Sequence, residues 1–143
     1  MSVDITGASG AIPRNDLKRM DEHAERYYEE IRKRKSDVAA IAGNTGFSIE
    51  DVQAVKNHLF FDEHELIDGV RRFDPLYDIA VSWQRLIEGK NIQEMDLILL
   101  NHEFIESKLM EQGKSYSEAH DIAEKQYDYA KFVKELNAKE GIF

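Results

Sequence analysis

The stretch Gln93-Glu94-Met95-Asp96-Leu97-Ile98-Leu99-Leu100-Asn101-His102-Glu103-Phe104-Ile105-Glu106-Ser107-Lys108-Leu109-Met110-Glu111-Gln112-Gly113-Lys114-Ser115-Tyr116-Ser117-Glu118-Ala119-His120 decides the fold class of this chain. Met95, Ile98, Leu99, His102, Ile105, Glu106, Leu109 and Met110 recur at helical spacing along one broad face. Asn91 or Gln93 begins this helix and Gly113 ends it. Ser115 with Glu118 forms a capping box, in which each residue satisfies a backbone N–H of the next helix's first turn. Ala119, Ile122, Ala123, Tyr127, Ala130, Val133 and Leu136 give that last helix its inner face. Two helices joined by so short a loop pack antiparallel as a hairpin.

Working outward, the same period recurs. Asn15 or Asp16 caps a helix running to about Lys35, with Leu17, Met20, Ala24, Tyr27 and Ile31 as its stripe. Arg32-Lys33-Arg34-Lys35 falls at its C-terminal end, where cations complement the helix dipole. Ser36 caps a short helix over residues 37–42 that Gly43-Asn44 closes. Ser48 and Asp51 open another, carrying Ile49, Val52, Val55 and Leu59, with His58 at the edge of the stripe and Phe60-Phe61 docking on the core. Residues 62–74 show no period, and Asp62-Glu63-His64-Glu65 reads as a solvated turn. Asp74 as N-cap and Pro75 at the first helical position start a helix with Leu76, Ile79, Ala80, Trp83, Leu86 and Ile87 inside, stopped by Gly89. No strand-period segment stands out. The expectation is an all-α protein, a compact bundle of about five helices with a C-terminal helical hairpin. Residues 1–13 read as a flexible lead and residues 14–143 as a single helical domain, as the length of 143 residues suggests.

Composition narrows the function classes. The net charge is −9. Residues 1–50 hold 8 basic and 9 acidic side chains, and residues 51–143 hold 11 and 19, so the excess lies in the second part. Affinity for nucleic acid comes from clustered cations that release counterions, so this charge argues against such a partner. Cysteine is absent, which removes disulfides and thiolate metal ligands. No apolar run is long enough to span a membrane, and the start lacks a signal-peptide pattern. A soluble protein is expected, either cytoplasmic or delivered as part of a larger secreted or phage protein.

His102 and Glu106 lie four residues apart and share a helix face with apolar neighbours. Buried polar groups need partners. Across the hairpin, His120 lies seven residues after Gly113 and His102 eleven before it. Their levels thus differ by about four residues, or ~6 Å. Three readings of His102, Glu103, Glu106 and His120 follow. In one, His102, Glu106 and His120 bind a divalent metal and Glu103 is the general base, a partial match to the zinc-binding H-E-x-x-H logic. In the second, a histidine and a carboxylate act as acid and base without metal. In the third, His102 hydrogen-bonds Glu106 or Tyr127 and the cluster only fixes helix register. Tyr116, Tyr127 and Tyr129 are candidates to line a pocket.

Several short stretches carry a resemblance in their order: Asn44-Thr45-Gly46-Phe47-Ser48, His58-Leu59-Phe60, Arg72-Phe73-Asp74-Pro75, Ser82-Trp83-Gln84-Arg85-Leu86, Leu99-Leu100-Asn101-His102-Glu103, Glu118-Ala119-His120 and Tyr127-Asp128-Tyr129. From about Asp16 to Tyr129 the chain resembles a small helical domain at the C-termini of phage head-morphogenesis proteins and of secreted polymorphic toxins of Gram-positive bacteria. The resemblance implies a portable effector module and brings no established reaction with it. It adds His58, Arg72, Trp83 and Arg85 to the residues of interest, as supports of the cluster.

Two kinds of function are therefore expected. A hydrolase- or nuclease-like effector predicts a cleft between the last two helices with the His/Glu side chains facing solvent. A non-enzymatic interaction module predicts that these side chains are buried and mutually satisfied, with an apolar patch elsewhere, for which Phe60-Phe61 is a candidate. The effector's partner would be an immunity protein, and the module's a phage or secretion component. The first helix's near-heptad stripe adds a homo-oligomer as a third expectation.

Overall fold

The computed structural model describes residues 14–139; the expected N-terminal lead lies outside them. Seven α-helices and one small hairpin make up the described residues: α1 (Leu17–Lys33), α2 (Asp37–Thr45), α3 (Ile49–Lys56), a π-helical turn (Asn57–Phe61), β1 (His64–Leu66), β2 (Gly69–Arg71), α4 (Tyr77–Glu88), α5 (Glu94–Glu111), α6 (Tyr116–Gln126) and α7 (Tyr129–Lys139). The all-α class and the C-terminal hairpin, formed by α5 and α6, are as expected. The elements differ from the expectation in three places, two of which raise their number.

First, the last helix is two. Tyr127 leaves helical geometry at φ −136°, and the Asp128 side chain accepts the Lys131 N–H, capping a new helix. Second, residues 62–74 contain an antiparallel hairpin, His64 opposite Arg71 and Leu66 opposite Gly69. Strands of three residues are too short to show a period of two. Third, α2 does not stop at Gly43-Asn44. It runs to Thr45 and closes on Gly46 at φ 84°. Asn44 turns outward from its own helix, and its amide donates to the carbonyls of Leu86 and Ile87 at 2.9 and 3.0 Å, holding the end of α4.

Helix starts follow the caps in most places. Asp16 accepts the Arg19 N–H, Ser48 the Asp51 N–H, and Gln93 and Ser115 each make a capping box. The Asp74-Pro75 expectation is corrected: Leu76 is the N-cap of α4, and Asp74 pairs with Arg71 at 3.0 Å. Leu17, Ile49 and Leu76, read as stripe residues, are exposed.

The core gathers Tyr28, Ile31, Phe60, Trp83, Leu99 and Leu100. The stripe of α1 is thus used within the chain. Trp83 is buried, with Phe60 edge-on at 5.2 Å, and its indole N–H donates to Asp37 at 3.2 Å. Asp37 also takes the buried Lys56 ammonium at 2.8 Å, which donates in addition to the Arg34 carbonyl. This pair ties the start of α2 to the end of α3, just before the π turn. Helix α5 packs against α3, α4, α6 and α7. It is the axis on which the site is built.

Candidate functional site

Glu106 is the centre. It projects from α5 and is almost wholly buried. An ionised carboxylate only accepts hydrogen bonds, and three imidazoles supply them. His58 donates from Nε2 to Oε1 at 2.7 Å. His102, one helical turn before Glu106, donates from Nε2 to Oε2 at 3.0 Å. His120, from α6, donates from Nδ1 to the same oxygen at 2.9 Å. His102 uses its other nitrogen, Nδ1, on the Tyr127 carbonyl at 2.9 Å. Tyr127 therefore serves through its backbone, at the break between α6 and α7. Glu103 completes the group, with Oε1 3.5 Å from His58 and Oε2 3.8 Å from His102.

The π turn places His58. Bonding from Asp62 N–H to the Asn57 carbonyl spans five residues, so the turn holds one residue more than an α-turn and shifts every following side chain around the axis. His58, Leu59 and Phe60 all point inward as a result. The expectation of His58 at the stripe's edge is corrected: it is turned fully inward and is 2% exposed. Arg32 donates to the Phe60 carbonyl at 2.6 Å and steadies the turn's end.

His64 is likewise corrected from a solvated turn to a buried residue. Its Nε2 donates to the His58 carbonyl at 2.9 Å, and its ring stacks on Phe73 at 4.2 Å. Four of the chain's five histidines thus lie in or against one cluster. The alternation of His64 and Leu66 within a three-residue strand was the only signal for it, and that is too short to read.

Other expected supports lie elsewhere. Arg85 makes a two-pronged ion pair with Asp96 at 2.7 and 2.8 Å. Trp83 sits in the core on Asp37. Arg72 is exposed, after β2. None of the three reaches the cluster: Arg85 is turned to Asp96 near the start of α5, Trp83 to the core, and Arg72 to solvent.

The electrostatics follow from the geometry. Burial opposes the Glu106 charge, but three imidazole hydrogen bonds outweigh it and hold the carboxyl far below its ordinary value. Burial, and then the charge of Glu106, push Glu103 up to about 7. Burial also disfavours the imidazolium of His102, yet Glu106, Glu103 and the Tyr127 carbonyl raise it to about 9. His120 is raised chiefly by its bond to Glu106, and burial lowers His64. Two carboxylates with their acidities driven apart are the signature of distinct proton roles.

Glu103, Glu106, His102 and His120 border a chiefly apolar cavity of about 960 Å³, whose rim includes Leu66, Ile67, Tyr116 and Tyr129. His120 is the accessible member, its side chain 33% exposed. The mutual satisfaction expected of a structural cluster is present, whereas the expectation of side chains facing solvent in a cleft between two helices is corrected: His102, Glu103 and Glu106 are buried, and the cavity is lined by α1, the hairpin and α4 as well. Of the expected patch, Phe60 is buried and Phe61 exposed; the exposed apolar residues Leu17, Ile67 and Leu76 surround the cavity. Among the described residues two sets of side chains have ligand atoms close enough to share an ion, His102–Glu106–His120 and His58–Glu103–Glu106, the atoms of each lying within 4.8 Å of one another. Among the described residues no helix is long and apolar enough to cross a membrane. Compared with known proteins, the chain matches no family model, no curated protein and no solved structure.

Proposed function

We propose that this chain is an effector domain of the phage-associated or polymorphic-toxin kind, with hydrolase-like activity at the His/Glu cluster. One observation carries this reading: a buried carboxylate, Glu106, orients three imidazoles, two of them, His102 and His120, at the wall of a ligand-sized apolar cavity. Glu106 stays ionised and fixes the rings. Glu103, balanced near neutrality, takes a proton from the attacking water. Protonated Glu103 then returns that proton to the leaving group, and His120, part-exposed at the cavity, faces the substrate. The acidic balance favours a small-molecule, nucleotide or peptide substrate over a nucleic-acid polymer, and delivery within a larger protein with an immunity protein as partner fits the same reading.

The test is inducible expression in bacteria beside a His102→Ala, His120→Ala double variant whose folding is checked by circular dichroism. Arrested growth relieved by the folded variant is the expected result. Equal growth of both, or equal arrest by both, rejects catalysis by this cluster. The second reading, a docking module for a phage or secretion component, draws on the exposed Leu17, Ile67 and Leu76 around the cavity. It predicts that Ile67→Asp abolishes partner capture while the histidine variants do not.

A further inference from the structure

Each of the three groups that meet at Glu106 Oε2 is held from behind. The His102 ring gives its Nδ1–H to the Tyr127 carbonyl at 2.9 Å, which turns Nε2 onto Oε2 at 3.0 Å. His120 is held from its opposite ring atom: Nε2 faces the Glu124 carboxylate at 3.6 Å and Nδ1 faces Oε2 at 2.9 Å. The other oxygen of Glu106 is taken by His58 at 2.7 Å. A carbonyl or carboxylate behind each histidine, and a donor behind the carboxylate, is the outer support that metal-ligating side chains carry. Register alone would need only one of these three contacts.

We propose that His102 Nε2, Glu106 Oε2 and His120 Nδ1 bind one divalent transition-metal ion, Zn²⁺ or an ion of like preference, with a coordination position open to the cavity. Two imidazoles and one carboxylate suit such ions. Mg²⁺ and Ca²⁺ demand oxygen shells. Ligands at ~2.0–2.1 Å on a tetrahedron stand roughly 3.3 Å apart, and the present separations of 2.9 and 3.0 Å from Glu106 to the two rings fall short of that by only a few tenths of an ångström. The ion takes the place of the protons that now lie between the two rings and Glu106. Charge selects a single ion: its two positive charges balance ionised Glu103 and Glu106. A second ion in the His58–Glu103–Glu106 set leaves two buried positive charges without counterions, which burial penalises heavily. His58 is therefore a positioning residue for Glu106. Glu103, 3.8 Å from His102 Nε2, stands beside the open position as proton acceptor.

This inference deepens the proposed function and rests on it for the role of Glu103; ion binding is read without reference to growth. Chelator-treated protein is titrated with Co²⁺ in the visible range and with Zn²⁺ by calorimetry. One equivalent is expected, with tetrahedral or five-coordinate Co²⁺ bands that Zn²⁺ displaces and Mg²⁺ and Ca²⁺ leave unchanged. Glu124→Gln weakens binding roughly 10-fold or more. His120→Ala, at a part-exposed position and verified as folded, loses the bands. Wild-type protein without bands or heat, a stoichiometry of two, or unchanged binding by His120→Ala overturns the proposal. Binding without growth arrest retains the ion and rejects the effector reading; arrest without binding does the reverse.

Discussion

His58 Nε2 and Glu106 Oε1 stand 2.7 Å apart although 48 residues separate them in the chain. The contact joins the π turn to α5 and closes the cluster on the side away from the cavity. It fixes Glu106 so that its second oxygen is free for His102 and His120.

Glu106→Gln places an amide among three ring N–H groups and removes the only anion they share. Breaking a buried charge pair by removing one partner costs about 3–5 kcal/mol, and this variant is expected in that range by urea unfolding at neutral pH. Glu103→Gln is isosteric with the neutral carboxyl that burial favours. Its cost should stay below about 1 kcal/mol. Equal losses for the two would contradict the assignment of Glu106 as the fixed anion.

Stability of the metal-free protein should rise with pH up to about 4.5 and fall from there to about 9. Glu106 is held below its ordinary value of 4.5, so the stability it gives is present above 4.5 and lost as pH falls. Glu103 is raised from 4.5 to about 7. The folded form therefore keeps a proton that the unfolded form has shed, and stability drops across that interval. His102 is raised from 6.5 to about 9, so its contribution is full below 6.5 and lost through 9. Denaturation midpoints measured across this range check the shape, and Glu103→Gln should flatten the segment from 4.5 to 7.

Asp37 accepts from both Lys56 and the Trp83 indole at 2.8 and 3.2 Å. Asp37→Ala strands a buried ammonium and should cost about 3–5 kcal/mol. Combining Lys56→Met with Asp37→Leu removes both charges and should recover much of that loss. Thermal unfolding of the single and double variants reads the difference.

Gly89 sits at φ 72°, and a Cβ there would meet the Asn44 amide at 2.8 Å. Gly89→Ala should therefore destabilise by roughly 1–2 kcal/mol, from strain at a left-handed residue and from the displaced amide. Asn44→Ala loses two hydrogen bonds to the end of α4, about 1 kcal/mol each. In the double variant the steric part of the Gly89→Ala cost vanishes, so the two losses should fall short of additivity. Full additivity would mean that Asn44 does not hold this helix end.

Helix periodicity, capping residues and the Gly113 stop were legible without the structure, because they depend on residues within one or two turns of each other. The spacing of His102 and Glu106 and the hairpin that brings His120 to them belong to the same class. What local patterns could not carry is where separate elements meet. The π turn adds one residue to a turn and rotates His58 from the stripe's edge into the site, a change visible only once Arg32, Phe60 and the core fix that turn. The hairpin that buries His64 is too short to have a period. Tyr127 matters through a carbonyl freed where the last helix breaks, which no side-chain pattern encodes. The sequence by itself determined the helices and the chemistry on each. The tertiary structure decided that His58, Glu103 and the Tyr127 carbonyl share one carboxylate's surroundings, because that depends on packing between elements far apart in the chain.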